Sequence, residues 1–159
     1  MALVTGSGKG IGMAIALELA REGADIALHY CYSLTDVKKV QDEVIHLGRK
    51  AYTVQADFSQ QRNIEGLASS VLNHFGKVDI LVNNAGFYNR RNFISLTSED
   101  WDLTFNINLK SVYFLCQVFA PHMVDNGSGV IINIASDAAY QAKHKTGLDY
   151  AASKAGLLS

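Results

Sequence analysis

The chain has 159 residues, of which 48% are hydrophobic, and a formal net charge of −1 at pH 7. This length suffices for one domain with a buried core, and the balanced charge gives no indication of a nucleic acid or an anionic membrane surface as partner. The apolar stretches fall far short of the roughly 18 residues that a membrane span needs. Cys31 and Cys116 have no metal-binding or redox spacing. We therefore expect reduced thiols, no metal site and a cytoplasmic location.

The first 21 residues predict a strand, a glycine-rich turn and a helix. Residues 2–4 are apolar, and residues 5–12 read TGSGKGIG. A helix is predicted over 13–21, and Ile11, Ile15 and Leu19 recur every four residues from the end of the turn into this helix. Glycines at a turn that enters a helix let the backbone approach a phosphate, and the positive helix end attracts the anion. The register matches neither the kinase-type phosphate loop nor G-x-G-x-x-G, so a flexible loop without ligand stays an alternative.

The second predicted strand, residues 24–30, bears on the choice of dinucleotide. A site for NAD usually has an acidic residue about 20 positions past the glycines, where it holds the ribose 2′-hydroxyl. Here that region reads His29-Tyr30-Cys31-Tyr32-Ser33, with no acid from there until Asp36, while Lys9 puts a positive charge in the glycine turn. The pattern favours NADP, with NAD as the alternative.

Strands and helices continue to alternate along the chain. Helices are predicted over 36–47 and 60–75, and strands over 51–56, 78–82 and 130–135. This alternation is typical of an α/β fold with a parallel sheet covered by helices on both faces. Ligands bind at the carboxyl ends of such strands, where Asp57 and the segment Asn83-Asn84-Ala85-Gly86 fall. Ser136 follows the fifth strand, where a helix cap or a loop hydroxyl is the alternative interpretation.

A long helix is predicted from Thr97 to about residue 123, because Thr97 and Asp100 have the spacing of a capping box. One stripe of this helix contains Asn108 among large apolar residues: Trp101, Phe105, Val112, Leu115 and Phe119. A polar amide that faces a core must be hydrogen-bonded, or it costs about 1–3 kcal/mol. Asn108 is therefore either a structural residue or part of a site.

Tyr150 and Lys154 stand four residues apart at the start of a predicted helix, and so share one helix face. An ammonium near a phenol favours the phenolate, so the phenol can exchange a proton near neutral pH. As an isolated pair, a surface tyrosine and a solvated lysine would be the simpler interpretation.

Taken together, these motifs resemble the short-chain dehydrogenase/reductase superfamily. They are Thr5-Gly6-x-x-x-Gly10-x-Gly12, Asn83-Asn84-Ala85-Gly86, Ile107-Asn108-Leu109, Ser136 and Tyr150-x-x-x-Lys154. The match runs the length of the chain and is most similar to the 3-oxoacyl-acyl-carrier-protein reductases and their sugar-alcohol and glucose dehydrogenase relatives. The resemblance implies a single Rossmann-type domain over residues 1–159, with strand order 3-2-1-4-5.

The resemblance also implies roles for single residues. Tyr150 would be the proton donor to the carbonyl oxygen, and Ser136 would bind the substrate oxygen. Lys154 would favour the ionised form of the Tyr150 phenol and hold the nicotinamide ribose. Asn108 would support a proton path. The implied cofactor contacts are Gly6, Ser7, Lys9, Gly10, Ile11, Gly12, Asp57, Asn84, Ala85, Gly86, Tyr150 and Lys154. Between Ser136 and Tyr150 this chain has one residue more than the commonest spacing, which the loop around Lys143-His144-Lys145 is expected to absorb.

The expected function is an NADP-preferring oxidoreductase that interconverts a ketone and a secondary alcohol, with 3-oxoacyl thioesters, which can be carried by an acyl-carrier protein, as the first substrate class. The alternatives are a sugar or polyol dehydrogenase, a non-catalytic dinucleotide-binding protein, and a nucleotide-sugar epimerase or dehydratase. The resemblance further implies a homotetramer or homodimer.

Members of this family are usually longer, so we expect the 159 residues to be a fragment without the last strands and the substrate lid. We also expect strand five to be an unpaired edge, and the isolated chain to be poorly soluble with little turnover.

Overall fold

Five parallel strands form one sheet in the computed structural model, which describes residues 1–141 and 146–159. The strands are β1 Ala2–Val4, β2 Ile26–Tyr30, β3 Ala51–Gln55, β4 Ile80–Asn83 and β5 Val130–Asn133. Their order across the sheet is β3-β2-β1-β4-β5, and every neighbouring pair is parallel. The predicted doubly wound sheet and its strand order are confirmed.

Helices cover both faces of this sheet. They are α1 Gly10–Arg21, α2 Leu34–His46, α3 Arg62–Phe75, α4 Ser98–Phe105, α5 Ser111–Asp125 and α6 Leu148–Ala155. Alternate residues of β1 point to opposite sides, so Ala2 and Val4 pack with α1 and α2 while Leu3 packs with α3 and α5. Burial on both faces explains why the central strands read as continuous apolar runs.

The face of α1 that meets the sheet differs from the predicted stripe. Gly12, Ala16 and Ala20 are buried together with Leu17, whereas Ile11 is 64% exposed. Small side chains let the helix lie close to the strands. Ile11 belongs to the first turn of the helix, which lies beyond the strand ends.

The long predicted helix is present but contains one irregular turn. α4 and α5 are joined by a π-helical segment, Asn106–Lys110, and the predicted capping box at Thr97 and Asp100 is confirmed. A π turn accommodates an extra residue and so rotates the helix before it relative to the helix after it. As a result Trp101, which the stripe placed toward the core, is 42% exposed and stacks on Phe105. That part of the prediction was wrong.

β5 lies at an edge of the sheet within the part of the chain that the structure describes. Its backbone pairs with β4 on one side, and Val130 and Ile132 are 52% and 42% exposed. Apolar side chains on an exposed edge strand favour association with another strand or chain.

Candidate active site

The glycine turn between β1 and α1 is tight and leaves the amino end of the helix uncapped. Gly6 and Gly10 have positive φ angles of 63° and 58°, which side-chain-bearing residues rarely adopt. A Cβ on Gly12 would stand 2.4 Å from both Gly6 O and Asn84 Nδ2, so only glycine fits there. The N-cap residue, Lys9, makes no side-chain cap. The free N–H groups of this helix end therefore suit a phosphate.

Thr5 and Asn84 hold the turn against the end of β4. The Thr5 hydroxyl accepts hydrogen bonds from Asn84 N–H and Ala85 N–H, both at 2.9 Å, and donates to Val82 O at 3.2 Å. The Asn84 amide donates to Thr5 O at 2.9 Å and Gly6 O at 3.1 Å. Asn84 thus shapes the turn as well as lining the cleft beside it. The role of Thr5 was not predicted, although its place directly before the first glycine was the available signal.

His29 is a second supporting residue that the sequence motifs did not predict. Its Nδ1 accepts a hydrogen bond from Gly6 N–H at 3.0 Å, its Nε2 lies 3.0 Å from Ala56 O, and its ring stacks on Phe58 at 4.2 Å. Burial lowers the pKa of His29 from 6.5 to about 4, against a smaller opposing effect of the Ala56 hydrogen bond. A single polar residue inside an apolar strand was the only sequence signal.

A cleft of about 440 Å³ opens at the carboxyl ends of the strands. Of the predicted cofactor contacts it is lined by Gly6, Lys9, Asp57, Asn84, Ala85 and Gly86, and other walls are formed by Tyr32, Ser33 and Asp36. Ser7 differs, because it is fully buried and both its N–H and its hydroxyl bind His29 O. Both hydrogen-bond donors of Ser7 are thus used inside the protein, so its placement does not support the predicted cofactor contact.

Tyr150 and Lys154 lie on α6, and Lys154 Nζ is 5.9 Å from the centre of the Tyr150 ring. Lys154 is 4% exposed, and its ammonium donates to Ile134 O at 2.7 Å, two residues before Ser136. Burial lowers the pKa of Lys154. A Cβ on Gly86 would be 3.9 Å from Lys154 Nζ, so Lys154 lies just behind the part of the cleft wall that Gly86 forms.

Asn108 connects three segments of the site. It is fully buried; its Oδ1 accepts from Phe87 N–H at 2.7 Å, and its Nδ2 donates to Phe87 O at 2.8 Å and Ser153 Oγ at 3.0 Å. Ser153 in turn donates to Tyr150 O at 2.7 Å. The requirement that a buried Asn108 be hydrogen-bonded is confirmed. Ser153 was missed, since a small residue between Tyr150 and Lys154 carries no signal of its own.

Ser136 follows β5 and begins a short 3-10 helix, Asp137–Ala139. Its half-buried hydroxyl accepts from Ala138 N–H at 3.2 Å and donates to Asp137 Oδ1 at 3.3 Å. The hydroxyl therefore caps this helix, as the alternative interpretation expected, and stands near the end of the strand that Lys154 contacts. The extra loop residues Lys143-His144-Lys145 lie outside the described residues.

Neither a metal site nor a membrane span is found within residues 1–141 and 146–159. No group of three or more His, Cys, Asp or Glu side chains in these ranges could hold a metal ion. None of the helices there has both the length and the apolar character to span a bilayer.

Comparisons with known proteins place this geometry in a family. The family model for short chain dehydrogenases matches residues 1–159. The chain is 34% identical over 157 residues to the 3-oxoacyl-[acyl-carrier-protein] reductase FabG of Staphylococcus epidermidis, covering 99% of this chain and 64% of the relative. It is 36% identical over 159 residues to the 2-dehydro-3-deoxy-D-gluconate 5-dehydrogenase of Escherichia coli, covering 99% and 61%.

Among solved structures, a short chain dehydrogenase from Burkholderia cenocepacia in complex with NADP superposes with a TM-score of 0.92 at 38% identity, covering 99% of this chain and 63% of that one. The chain thus spans less than two thirds of the length of these relatives. With the match of the family model over residues 1–159, the chain belongs to the short-chain dehydrogenase/reductase family.

Proposed function

We propose that this chain forms the cofactor-binding and proton-transfer part of an NADP-dependent oxidoreductase that interconverts a ketone and a secondary alcohol. The observation that carries the proposal is the buried Lys154, which lies beside the Tyr150 ring and next to Gly86, a residue that lines the same cleft as the glycine turn. The bound cofactor supplies the hydride, and the protein orients it.

Each residue of the site has a separate role in this proposal. The uncapped end of α1 and the turn at Gly6 hold the pyrophosphate, and Lys9 favours the extra phosphate of NADP. Tyr150 gives a proton to the carbonyl oxygen during reduction and removes it in the reverse direction. The ammonium of Lys154 holds the nicotinamide ribose, and the Ser136 hydroxyl stabilises the charge that develops on the substrate oxygen. Asn108 holds Phe87 and Ser153 around this site and supports a water-linked proton path from Lys154 to solvent.

The substrate class proposed first is a 3-oxoacyl thioester, because a relative with that activity aligns over 99% of the chain. A keto sugar is the second candidate, supported by the gluconate dehydrogenase at 36% identity. A binding protein without chemistry is less well supported, since such a protein has no need of Tyr150, Lys154 and Ser136 together. The cytoplasmic location and the dimer or tetramer expected from the sequence stay predictions.

The test is Tyr150→Phe in the complete protein, with Tyr113→Phe as the control because Tyr113 is 63% exposed on α5. We expect Tyr150→Phe to lower kcat at least about 100-fold, since the proton donor is lost, while the Kd for NADPH changes little. NADPH and NADH would be titrated by fluorescence, and turnover measured with a 3-oxoacyl thioester and a keto sugar. Full activity of Tyr150→Phe would contradict the proposal, and equal affinity for both cofactors would contradict the NADP preference.

A further inference from the structure

Building on the proposed function, we propose that Tyr88 is a positioning residue that holds the phenol ring of Tyr150 and closes one side of the site where the carbonyl approaches. The two rings meet edge to face, with centroids 5.2 Å apart and planes at 70°. Aromatic pairs favour this arrangement, which contributes about 0.5–1.5 kcal/mol beyond the area that it buries. Tyr88 therefore restricts the rotation of a half-buried phenol that has to meet a substrate oxygen.

The segment that carries Tyr88 is fixed on both sides. Before it, both backbone polar groups of Phe87 are bonded to the buried amide of Asn108. After it, Asn89 is 7% exposed, and its Oδ1 accepts from Arg91 N–H at 3.0 Å. Tyr88 thus projects from an anchored backbone, which gives its ring a defined place.

The same ring contacts the segment that leads into α6. The Tyr88 hydroxyl lies 3.2 Å from Thr146 Oγ1 and 3.4 Å from Thr146 O, and Thr146 forms an antiparallel bridge with Asn92. A Cβ on Gly147, where φ is 72°, would stand 2.4 Å from the Tyr88 ring. Gly147 thus leaves the space that the ring fills. Since both hydroxyl distances are long for hydrogen bonds, ring packing carries the contact.

The arrangement constrains Tyr150 from two directions. Tyr88 meets the ring edge to face, and the Lys154 ammonium stands over the ring, 5.9 Å from its centre. Proton transfer requires the phenol oxygen to lie within hydrogen-bond reach of the carbonyl, and small misplacements of reacting groups are costly. Tyr88 is 44% exposed, and its ring covers one side of Tyr150. A carbonyl compound therefore has to approach the phenol from another side.

The first experiment observes Tyr150 without relying on turnover. The complete protein would be labelled with 3-fluorotyrosine, and the ¹⁹F signal of Tyr150 assigned as the one that disappears in Tyr150→Phe. We expect Tyr88→Leu to move the Tyr150 signal, Tyr88→Phe to leave it near its original position, and Tyr113→Leu to leave it unchanged. An unmoved Tyr150 signal in Tyr88→Leu would overturn the inference whether or not the protein reduces a ketone.

The second experiment measures the catalytic consequence. We expect Tyr88→Leu to lower kcat about tenfold with an unchanged Kd for NADPH, because the phenol loses its orientation while the glycine turn stays intact. Tyr88→Phe should have the kcat of the parent protein, since it keeps the aromatic ring. Full kcat in Tyr88→Leu would overturn the positioning role even where Tyr150→Phe is inactive. Activity retained in Tyr150→Phe would instead overturn the proposed function.

Discussion

His29 is closed off from solvent at the end of β2, where it joins the glycine turn to the segment after β3. Its Nδ1 accepts a hydrogen bond from Gly6 N–H, so this nitrogen carries no proton and Nε2–H donates to Ala56 O. A proton on Nδ1 would face the Gly6 N–H and break that bond. Geometry and desolvation therefore both favour the neutral ring, and burial is the main reason that the pKa of His29 is lowered to about 4.

This residue predicts acid sensitivity of the fold. A basic group whose pKa is lower in the folded than in the unfolded state stabilises the fold most when it is neutral. For His29 this stabilisation is complete above pH 6.5, the pKa of the unfolded state, and is lost as the pH falls toward about 4. At about 1.36 kcal/mol per pKa unit, we expect the free energy of unfolding to fall by about 3 kcal/mol between pH 7 and pH 4 on account of His29. Urea titrations at several pH values would measure it.

The control for this prediction is a second histidine. His29→Gln should flatten the pH dependence below 6.5, although the variant is less stable at pH 7, whereas His46→Gln on the exposed end of α2 should leave the profile unchanged. A profile that is as steep in His29→Gln as in the parent protein would show that other groups cause the acid loss.

At the scale of elements, the π-helical segment between α4 and α5 decides where Asn108 points. The segment comprises residues Asn106–Lys110, and within it Asn108 is the buried residue. From there its amide reaches Phe87, which follows β4, and Ser153, which lies on α6. One side chain thus connects the π-helical segment, the loop after β4 and α6.

Replacing this amide by an apolar side chain of similar size should destabilise the protein. In Asn108→Leu the N–H and C=O of Phe87 lose their partner while staying partly buried, and each such group costs about 1–3 kcal/mol. We expect the free energy of unfolding to fall by at least about 2 kcal/mol in urea titrations, while Asn106→Ala, a half-buried position in the same segment, has a smaller effect. Equal losses in the two variants would rule out the bridging role.

At the scale of the whole molecule, the central strands bring the glycine turn of the first βαβ unit against the loop of the fourth strand. β1 pairs with β4 over Ala2–Val4, so Thr5 and Asn84 meet although 79 positions separate them. Gly12 lies against this contact, which shapes the cleft, so we expect cofactor binding to depend on the packing of α1 on the sheet.

Gly12→Ala tests this coupling. The added methyl would stand 2.4 Å from Gly6 O and Asn84 Nδ2, so α1 or the loop must move, and we expect a loss of NADPH affinity of at least about tenfold together with reduced stability. Gly66→Ala is the matched control, since nothing lies within 4 Å of that Cβ on α3. It should leave NADPH binding unchanged and raise stability by up to about 1 kcal/mol. Calorimetric titration and thermal melting would separate the two effects.

Local patterns in the sequence determined the alternation of strands and helices, the parallel sheet, the glycine turn and the polar residues at the strand ends. They suffice there because apolar periodicity and turn residues act over a few positions, and parallel connections bring all strand ends to one edge. The same patterns indicated that Asn108 would be buried and hydrogen-bonded, but they could not name its partners.

Only the tertiary structure decided the rest. The π turn exposed Trp101, the burial of Ser7 turned its side chain inward, His29 closed on Gly6, and Tyr88 packed on Tyr150. Each of these features depends either on residues that are distant along the chain or on the one extra residue of the π turn. Neither cause produces a periodic pattern in the local sequence. Packing between segments is set by the shape and hydrogen-bonding needs of both partners, which become defined only when the sheet has assembled.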